Sequence, residues 1–546
     1  MSMSTHVAVS GSRRVPLPGA RALGPANPHA NIEVLIKVRR KKAIPEFASR
    51  PEPMPRKRVG DEYGASADDL ALVVDTYKAL GLTIDGTNQA TRSVDVSGSV
   101  TEMEKAFGVK LFDYEHAGGN YRGRVGEVFV PPALKDIVVG VFGLDNRRVA
   151  RRRRGVRPAN LAPKAAFSVP STWYVPEELA RRYSFPQGDG AGQTIGLLEF
   201  GGGYFPDDLQ LFCRLAAIAT PTVTPISVDG TSTSAKDGAE GEVMLDIEVV
   251  AGVCPQATIA VYFAHWGERG WLKSLDAAVH GAQVKPSVVS ASWGNPEDAG
   301  IWTKAAMDQV NEALKDGALG GLTVCVSAGD DGSSDADGDG LAHADFPASS
   351  PYVLAVGGTT IPKKTAPLPD IVWFEGDGLR NDNGGSTGGG VSAVFSRPTW
   401  QQAITIEPVN PHAIVGRVLP DVAANADWTV SPYLLCVDGG AQPNGGTSAA
   451  SPLVASLIAR INGQPGMTSP VGYLTPLLYE NGQDGHPLGL TVCDDVVSGQ
   501  NATAQVGGYS AQPGYDAVSG WGTLNGTKLA AALAAPRSQQ PVTAKA

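Results

Sequence analysis

A chain of 546 residues, 42% apolar and 18% charged, is long enough for two or more domains with sizeable cores. No run approaches the roughly 18 consecutive apolar residues of a membrane span, and the N-terminus MSMSTHVAVSGSRRVPLPG lacks the apolar stretch of a conventional secretory signal. The net charge of −10 is unevenly spread: residues 1–170 carry 27 Lys and Arg against 17 Asp and Glu, the remainder 18 against 38. The basic third shows no aromatic interleaving of the kind nucleic-acid surfaces use, so neither nucleic acid nor membrane is expected as a partner. Two oppositely charged parts of one chain attract each other instead, and acid weakens that attraction by protonating the carboxylates.

In chain order, residues 1–30 are rich in Gly, Pro and Ser and read as a disordered segment. A globular pattern runs over 31–146. NIEVLIKVRR (31–40) reads as a strand, and SADDLALVVDTYKALGL (66–82) as a helix capped by Ser66. RSVDVSGSV reads as a strand, TEMEKAFG as a short helix opened by Thr101, and VKLFDYEH as a strand. VGEVFVPPALKDIVVGVFGL supplies a further strand and helix. Such alternation predicts helices packed on one face of an antiparallel sheet. Residues 147–171, with four consecutive arginines (Arg151 to Arg154) and several prolines, form an exposed linker of the sort proteases cut.

From 172 to 535 the pattern is again α/β and larger. Near-continuous apolar runs at 194–200, 258–264, 287–293, 322–329 and 352–358, separated by helical stretches, predict a mainly parallel sheet covered on both faces. Chemistry in such sheets sits at the carboxyl ends of strands. The tail from Pro536 to Ala546 reads as disordered. Cys213, Cys254, Cys325, Cys436 and Cys493 form no CxxC pair and read as buried free thiols, not as a zinc site or a disulfide framework.

Three segments carry candidate chemistry. GGTSAASP (445–452) precedes the apolar-periodic LVASLIARIN, which puts Ser448 at or just before a helix N-terminus beside unpaired backbone N–H groups. Pro452 is read as falling in the first turn, where its missing N–H costs nothing. A serine nucleophile needs a base, and none of the eight histidines lies in an HGT-like turn. In GAEGEVMLDIEVVAGV (238–253), Val243, Ile247 and Val250 mark a buried stripe, while Glu242 and Asp246 project from one face a turn apart. The pair is either solvated surface or, if buried, a couple sharing a proton. VSAGDDG (326–332) ends a buried strand, with Asp330 either capping backbone amides or, when protonated, donating to an oxyanion.

Together with LLEFGGGY (197–204), SASWGNPED (290–298), DFPASSPYVLAVGGT (345–359), STGGGVS (386–392) and PDVAANAD (420–427), these segments resemble, in order and separation, the sedolisin family of serine-carboxyl peptidases, in particular its kumamolisin branch. The resemblance covers about residues 31–535 and implies a subtilisin-like catalytic domain behind a ferredoxin-like α+β propeptide. It implies Ser448 as nucleophile, Glu242 as base, Asp246 as its partner and Asp330 as oxyanion acid, with Glu199 and Trp293 extending the hydrogen-bond network. It implies one structural calcium ion held by Asp495, Val496, Gln512, Gly514 and Asp516, an oxygen set that suits a hard cation. Asp345 resembles a position near the S1 pocket of basic-selective relatives, against a plain surface carboxylate. DADGDG (335–340) copies the start of an EF-hand loop, but Phe346 stands where the closing glutamate belongs, so it reads as a solvated acidic loop. The expected protein is therefore a secreted, monomeric precursor of an acid-acting endopeptidase. It hydrolyses proteins through an acyl-enzyme, is inhibited by its own propeptide, and matures by cutting itself. A histidine-dependent subtilase and a catalytically silent peptide-binding protein are the alternatives.

Overall fold

The computed structural model describes residues 6–151, 169–380, 384–482, 484–504 and 506–534. Most of the 147–171 linker and the tail from residue 536 lie outside the described residues. The N-terminal domain is built on an antiparallel sheet of β1 (Asn31–Val38), β2 (Thr83–Asn88), β3 (Ser93–Ser99) and β4 (Val138–Phe142), in the order β2-β3-β1-β4. Its helices are α1 (Arg56–Tyr63), α2 (Ala67–Ala79) and α3 (Val100–Phe107). The Ser66 hydroxyl caps α2 by accepting from the Asp69 N–H, as its sequence predicts. Helix α3 opens earlier than Thr101, because Ser99 and Glu102 form a reciprocal capping box, and it closes on Gly108 in the left-handed region.

Two expectations fail here. Residues 6–30 are not disordered: Val7–Ala8 pairs with Phe129–Val130, and Arg21–Pro25 pairs with Leu111–Glu115. The Gly and Pro residues there make turns between short strands. The helix expected within VGEVFVPPALKDIVVGVFGL shrinks to one 3-10 turn, Pro132–Leu134, before β4. A double proline followed by β-branched residues favours that outcome.

The C-terminal domain carries strands β5 (Thr194–Phe200), β6 (Thr222–Ser227), β7 (Thr258–Ala264), β8 (Val288–Ala291), β9 (Thr323–Ser327), β10 (Leu354–Thr360), β11 (Val422–Asn425), β12 (Cys493–Asp494) and β13 (Thr523–Leu524). They lie in the order β6-β7-β5-β8-β9-β10-β11-β13-β12, parallel except for the last pair, with Ile371–Val372 added antiparallel to the end of β10. Side chains alternate across this sheet: Ile195 and Leu197 join one core and Leu198 and Phe200 the other. Helices α4 (Glu240–Val253) and α7 (Thr447–Asn462) cover the first face, and α5 (Glu268–His280) and α6 (Lys304–Leu319) the second. Helix α4 is buried nearly all round, beyond the three-residue stripe its sequence marks. All five cysteines are buried thiols.

The N-terminal domain docks on α5 and α6 through the outward face of β1. Val34, Ile36 and Val38 face their own core, whereas Leu35 joins the core of the C-terminal domain. Lys37, fully buried on that outward face, donates to Asp276 Oδ2 at 2.5 Å and to the Thr91 carbonyl at 2.9 Å. Arg40 pairs with Asp316 at 2.8 Å and with Glu312, and Arg14 with Glu268 at 2.7 Å. The pairs also run in the opposite sense, Glu33 with Arg269, Glu46 with Lys315 and Asp95 with Lys273. Removing one partner of a buried pair strands the other charge. Lys37→Ala is therefore expected to weaken docking by about 3 kcal/mol, read as separation of the two domains at lower urea. An unchanged transition would show that this pair carries no docking energy.

Candidate active site

Helix α7 starts at the carboxyl edge of the sheet. Gly446, at φ 90°, delivers the chain into it, and a Cβ there would lie 2.7 Å from Asp330 Oδ2. Only glycine tolerates both the dihedral and the approach. Asp330, just beyond β9, accepts from the Thr447 N–H at 2.8 Å and from the Thr447 hydroxyl at 2.6 Å through Oδ1. Across the cleft the Arg380 guanidinium pairs with Asp331 and comes within 3.9 Å of Asp330 Oδ2.

Ser448 is the second residue of α7 and is buried, its Oγ 3.5 Å from the Ser292 carbonyl. Pro452 is the sixth helical residue and not part of the first turn, so its missing N–H does matter: it leaves the Ser448 carbonyl without its helical donor. The Ser292 hydroxyl lies 3.2 Å from that carbonyl and 2.7 Å from Asp246 Oδ2. One serine thus joins the start of α7 to the acid on α4. A second contact, Ser290 Oγ to Ser451 Oγ at 2.8 Å, ties the same turn to β8.

Glu242 and Asp246 are both buried, which removes the reading of them as solvated surface charges. Glu199, at the end of β5, accepts from the Trp293 indole N–H at 2.9 Å. Burial pushes the Glu199 carboxyl well above its ordinary value; the Trp293 hydrogen bond opposes the shift, and the neighbouring Glu242 adds to it. Burial and the neighbouring carboxyl thus both favour the protonated form of Glu199. Trp293 is held edge-on against Phe200 and Trp266, with centroids 6.0 and 5.6 Å away. Among the histidines, His265 is engaged by Asp229, His280 by Asp316, and His343 by Asp298 and Asp339.

Asp345 is buried and is no surface carboxylate; it lies against Gly294, where a Cβ would meet its Oδ1. The structure adds Ser292, Thr447 and Arg380 to the site. None of these announces itself in sequence, since a strand-end serine, a helix-start threonine and a loop arginine have many uses.

The residues named for a cation also converge. Asp495 Oδ2 accepts from the Gly514 N–H at 2.8 Å, and Asp516 accepts from the N–H groups of Gln512, Val518 and Ser519 at 3.1, 3.0 and 2.8 Å. Asp495 Oδ1 is buried without a partner, and burial pushes the Asp516 carboxyl up to about 6 against those donors. An unpartnered carboxylate oxygen of Asp495 and the buried Asp516 carboxyl, beside backbone carbonyls, fit a hard cation. The DADGDG loop differs from its solvated reading, because Asp335 is buried. Asp337, Asp339 and His343 cluster there, but the imidazole lies between Asp298 and Asp339 at 2.6 and 3.0 Å. Burial works against its charge, yet the two carboxylates raise it to about 9, which suits an ion pair with them.

A model of the subtilase family matches residues 229–471, and one of the pro-kumamolisin activation domain matches residues 18–147. Kumamolisin of Bacillus sp. (strain MN-32) is 40% identical over 551 aligned residues, 97% of each chain. Sedolisin of Pseudomonas sp. (strain 101) is 30% identical over 80% of this chain and 74% of its own. The solved structure of Pseudomonas sedolisin complexed with two molecules of pseudo-iodotyrostatin superposes with a TM-score of 0.56 at 27% identity, covering 66% of this chain and 97% of that one. An activation domain ahead of a subtilisin-like sheet defines the class, the precursor of a serine peptidase. The chain belongs to the sedolisin family of serine-carboxyl peptidases, and to its kumamolisin branch.

Gly446→Ala is expected to displace Asp330 from Thr447 and cut acid proteolysis by about 100-fold, the scale of disturbing one preorganised polar contact at an active site, with circular dichroism unchanged. Wild-type rates would show that the close approach is dispensable.

Proposed function

We propose that Ser448 is the nucleophile and Glu242 the general base of an acid endopeptidase, with Asp246 orienting the proton path and Asp330 acting on the oxyanion. One observation carries this: the Ser292 bridge connects the start of α7 at Ser448 with the buried acid on α4. Ser448 attacks the substrate carbonyl as Glu242 takes its proton. Asp330, protonated in acid, donates to the developing oxyanion. Glu242 then passes its proton to the leaving amine, and water repeats the cycle on the acyl-enzyme. Glu199 and Trp293 hold the pair's second proton. A silent peptide-binding protein would not need Ser448, Glu242, Asp246 and Asp330 all intact.

The N-terminal domain acts as the inhibitory propeptide, and acid loosens it. Burial would raise the carboxyls of Asp316, Glu312 and Glu46. The opposing contacts of His280 and Arg40 (Asp316), Arg40 and Lys315 (Glu312), and Lys315 and Tyr352 (Glu46) outweigh burial and hold all three below ordinary values. Depressed carboxylates contribute docking energy at neutral pH, and that energy is lost as pH falls through their docked-state values. The enzyme is proposed to work outside the cell, as a monomer, on protein substrates.

Asp495 and Asp516, with the carbonyls of Val496, Gln512 and Gly514, would hold one calcium ion, which supplies charge neutralisation and ties β12 to the loop before β13. Chelation is expected to lower the thermal midpoint of the precursor, and added calcium to restore it; a midpoint indifferent to both would remove the ion from the account. The catalytic proposal is tested by digestion of casein across pH. Activity is expected to peak well below neutrality, and the Ser448→Ala precursor to stay uncut in acid. A peak above pH 7, or maturation of that variant alone in solution, would refute the carboxyl mechanism.

A further inference from the structure

Residues 148–151, the last of the N-terminal region ahead of the linker, run along the active-site cleft as an extended chain. Arg148 places its guanidinium 4.3 Å from the Trp266 ring, and the N–H groups of Val149 and Ala150 donate to the Trp266 carbonyl at 2.9 and 3.0 Å. The Asn295 amide donates to the Val149 carbonyl at 2.7 Å, and the Arg151 N–H to the Gly294 carbonyl at 3.3 Å, in an antiparallel bridge. Its side chain turns toward an acidic wall, with Nη1 3.2 Å from the Asp335 carbonyl and Nη2 3.6 Å from Asp331 Oδ2.

That wall is acidic and already holds one guanidinium: Asp331 and Asp335 are both buried, and Arg380 pairs with Asp331. Burial alone would raise Asp331, but Arg380, with Arg151 adding to it, holds its carboxyl down at about 2. Asp331 therefore keeps its charge in acid, where the peptidase works.

Register fixes where this wall lies relative to the chemistry. In an antiparallel pair, moving two residues forward along the bound chain moves two back along its partner, from Gly294 to Ser292. The Ser292 carbonyl lies 3.5 Å from Ser448 Oγ. A side chain paired with Gly294 thus belongs to the residue two positions before the one whose carbonyl Ser448 attacks.

We propose that Asp331 and the carbonyl of Asp335 form a subsite for a basic side chain, filled by Arg151 in the precursor, which in the mature enzyme selects Arg or Lys two residues upstream of the attacked one. This rests on Ser448 being the nucleophile, and it names a substrate class for that site. The test is hydrolysis in acid of a peptide library varied only at that position by the mature enzyme, repeated with Asp331→Asn. Arg and Lys are expected to exceed Ala by about fivefold, the strength of one partly exposed ion pair, to exceed Glu by more, and to lose the advantage in Asp331→Asn. A flat profile, or a basic preference that survives Asp331→Asn, overturns the subsite while leaving the peptidase intact. If wild-type enzyme cuts none of the peptides, and Ser448→Ala behaves identically on casein, the reading of Ser448 falls with it.

Discussion

The site is organised around carboxyl groups taken out of water. Glu199 meets an indole and a second carboxyl, and Asp246 a serine hydroxyl. Taking a carboxylate out of water costs several kcal/mol even after relaxation, so such a cluster keeps a proton where exposed acids would lose it. An imidazole base is protonated, and idle, at the acid pH where these groups begin to share protons. A carboxyl of raised proton affinity can still accept a serine proton there and return it. The absence of an HGT-like histidine turn and the burial of Glu242 are two sides of one choice.

That chemistry works only if the hydroxyl is held in place, and the first two turns of α7 are pinned from three directions. Thr447 is bound by Asp330 from β9, the Ser448 carbonyl lies against Ser292, and Ser451 bonds to Ser290 on β8. Pro452 forces the second contact: by removing the helical donor it leaves a carbonyl that the Ser292 hydroxyl reaches. A residue that would ordinarily weaken a helix here ties the Ser448 backbone, through Ser292, to the buried carboxyl of Asp246.

Much of this was readable in the sequence, because the signals are local. Apolar runs marked the inner strands β5, β7, β8, β9 and β10, and the spacing of Glu242 and Asp246 put them on one helical face. What escaped depends on contacts distant in sequence. Strand β6 has a half-exposed pattern, and β11 is only four residues long, so neither stands out by period. The Gly- and Pro-rich start reads as disorder until Val130 and Leu111 supply partners for its short strands. Ser292 is a plain strand-end serine until α4 and α7 arrive on either side of it. Pro452 was misplaced because a helix N-terminus is set by the turn before it, and Gly446 begins that turn sooner than composition shows.

Glu199 in the catalytic pocket and the carboxyls of the docking face are shifted in opposite directions, which bears on the order of activation. Burial lifts Glu199 above the ordinary carboxyl range, so its pocket takes up a proton early as pH falls. Asp316, Glu312 and Glu46, opposite Arg40 and Lys315, are depressed and keep their charges until the medium is more acid. Glu199 therefore takes up its proton while the N-terminal domain is still docked and Arg151 still lies in the cleft. An enzyme that becomes competent before it is released meets its own linker at a far higher local concentration than any other chain. Cleavage then removes the covalent tie, and further acid dissolves the ionic one, so that neither step alone frees the cleft.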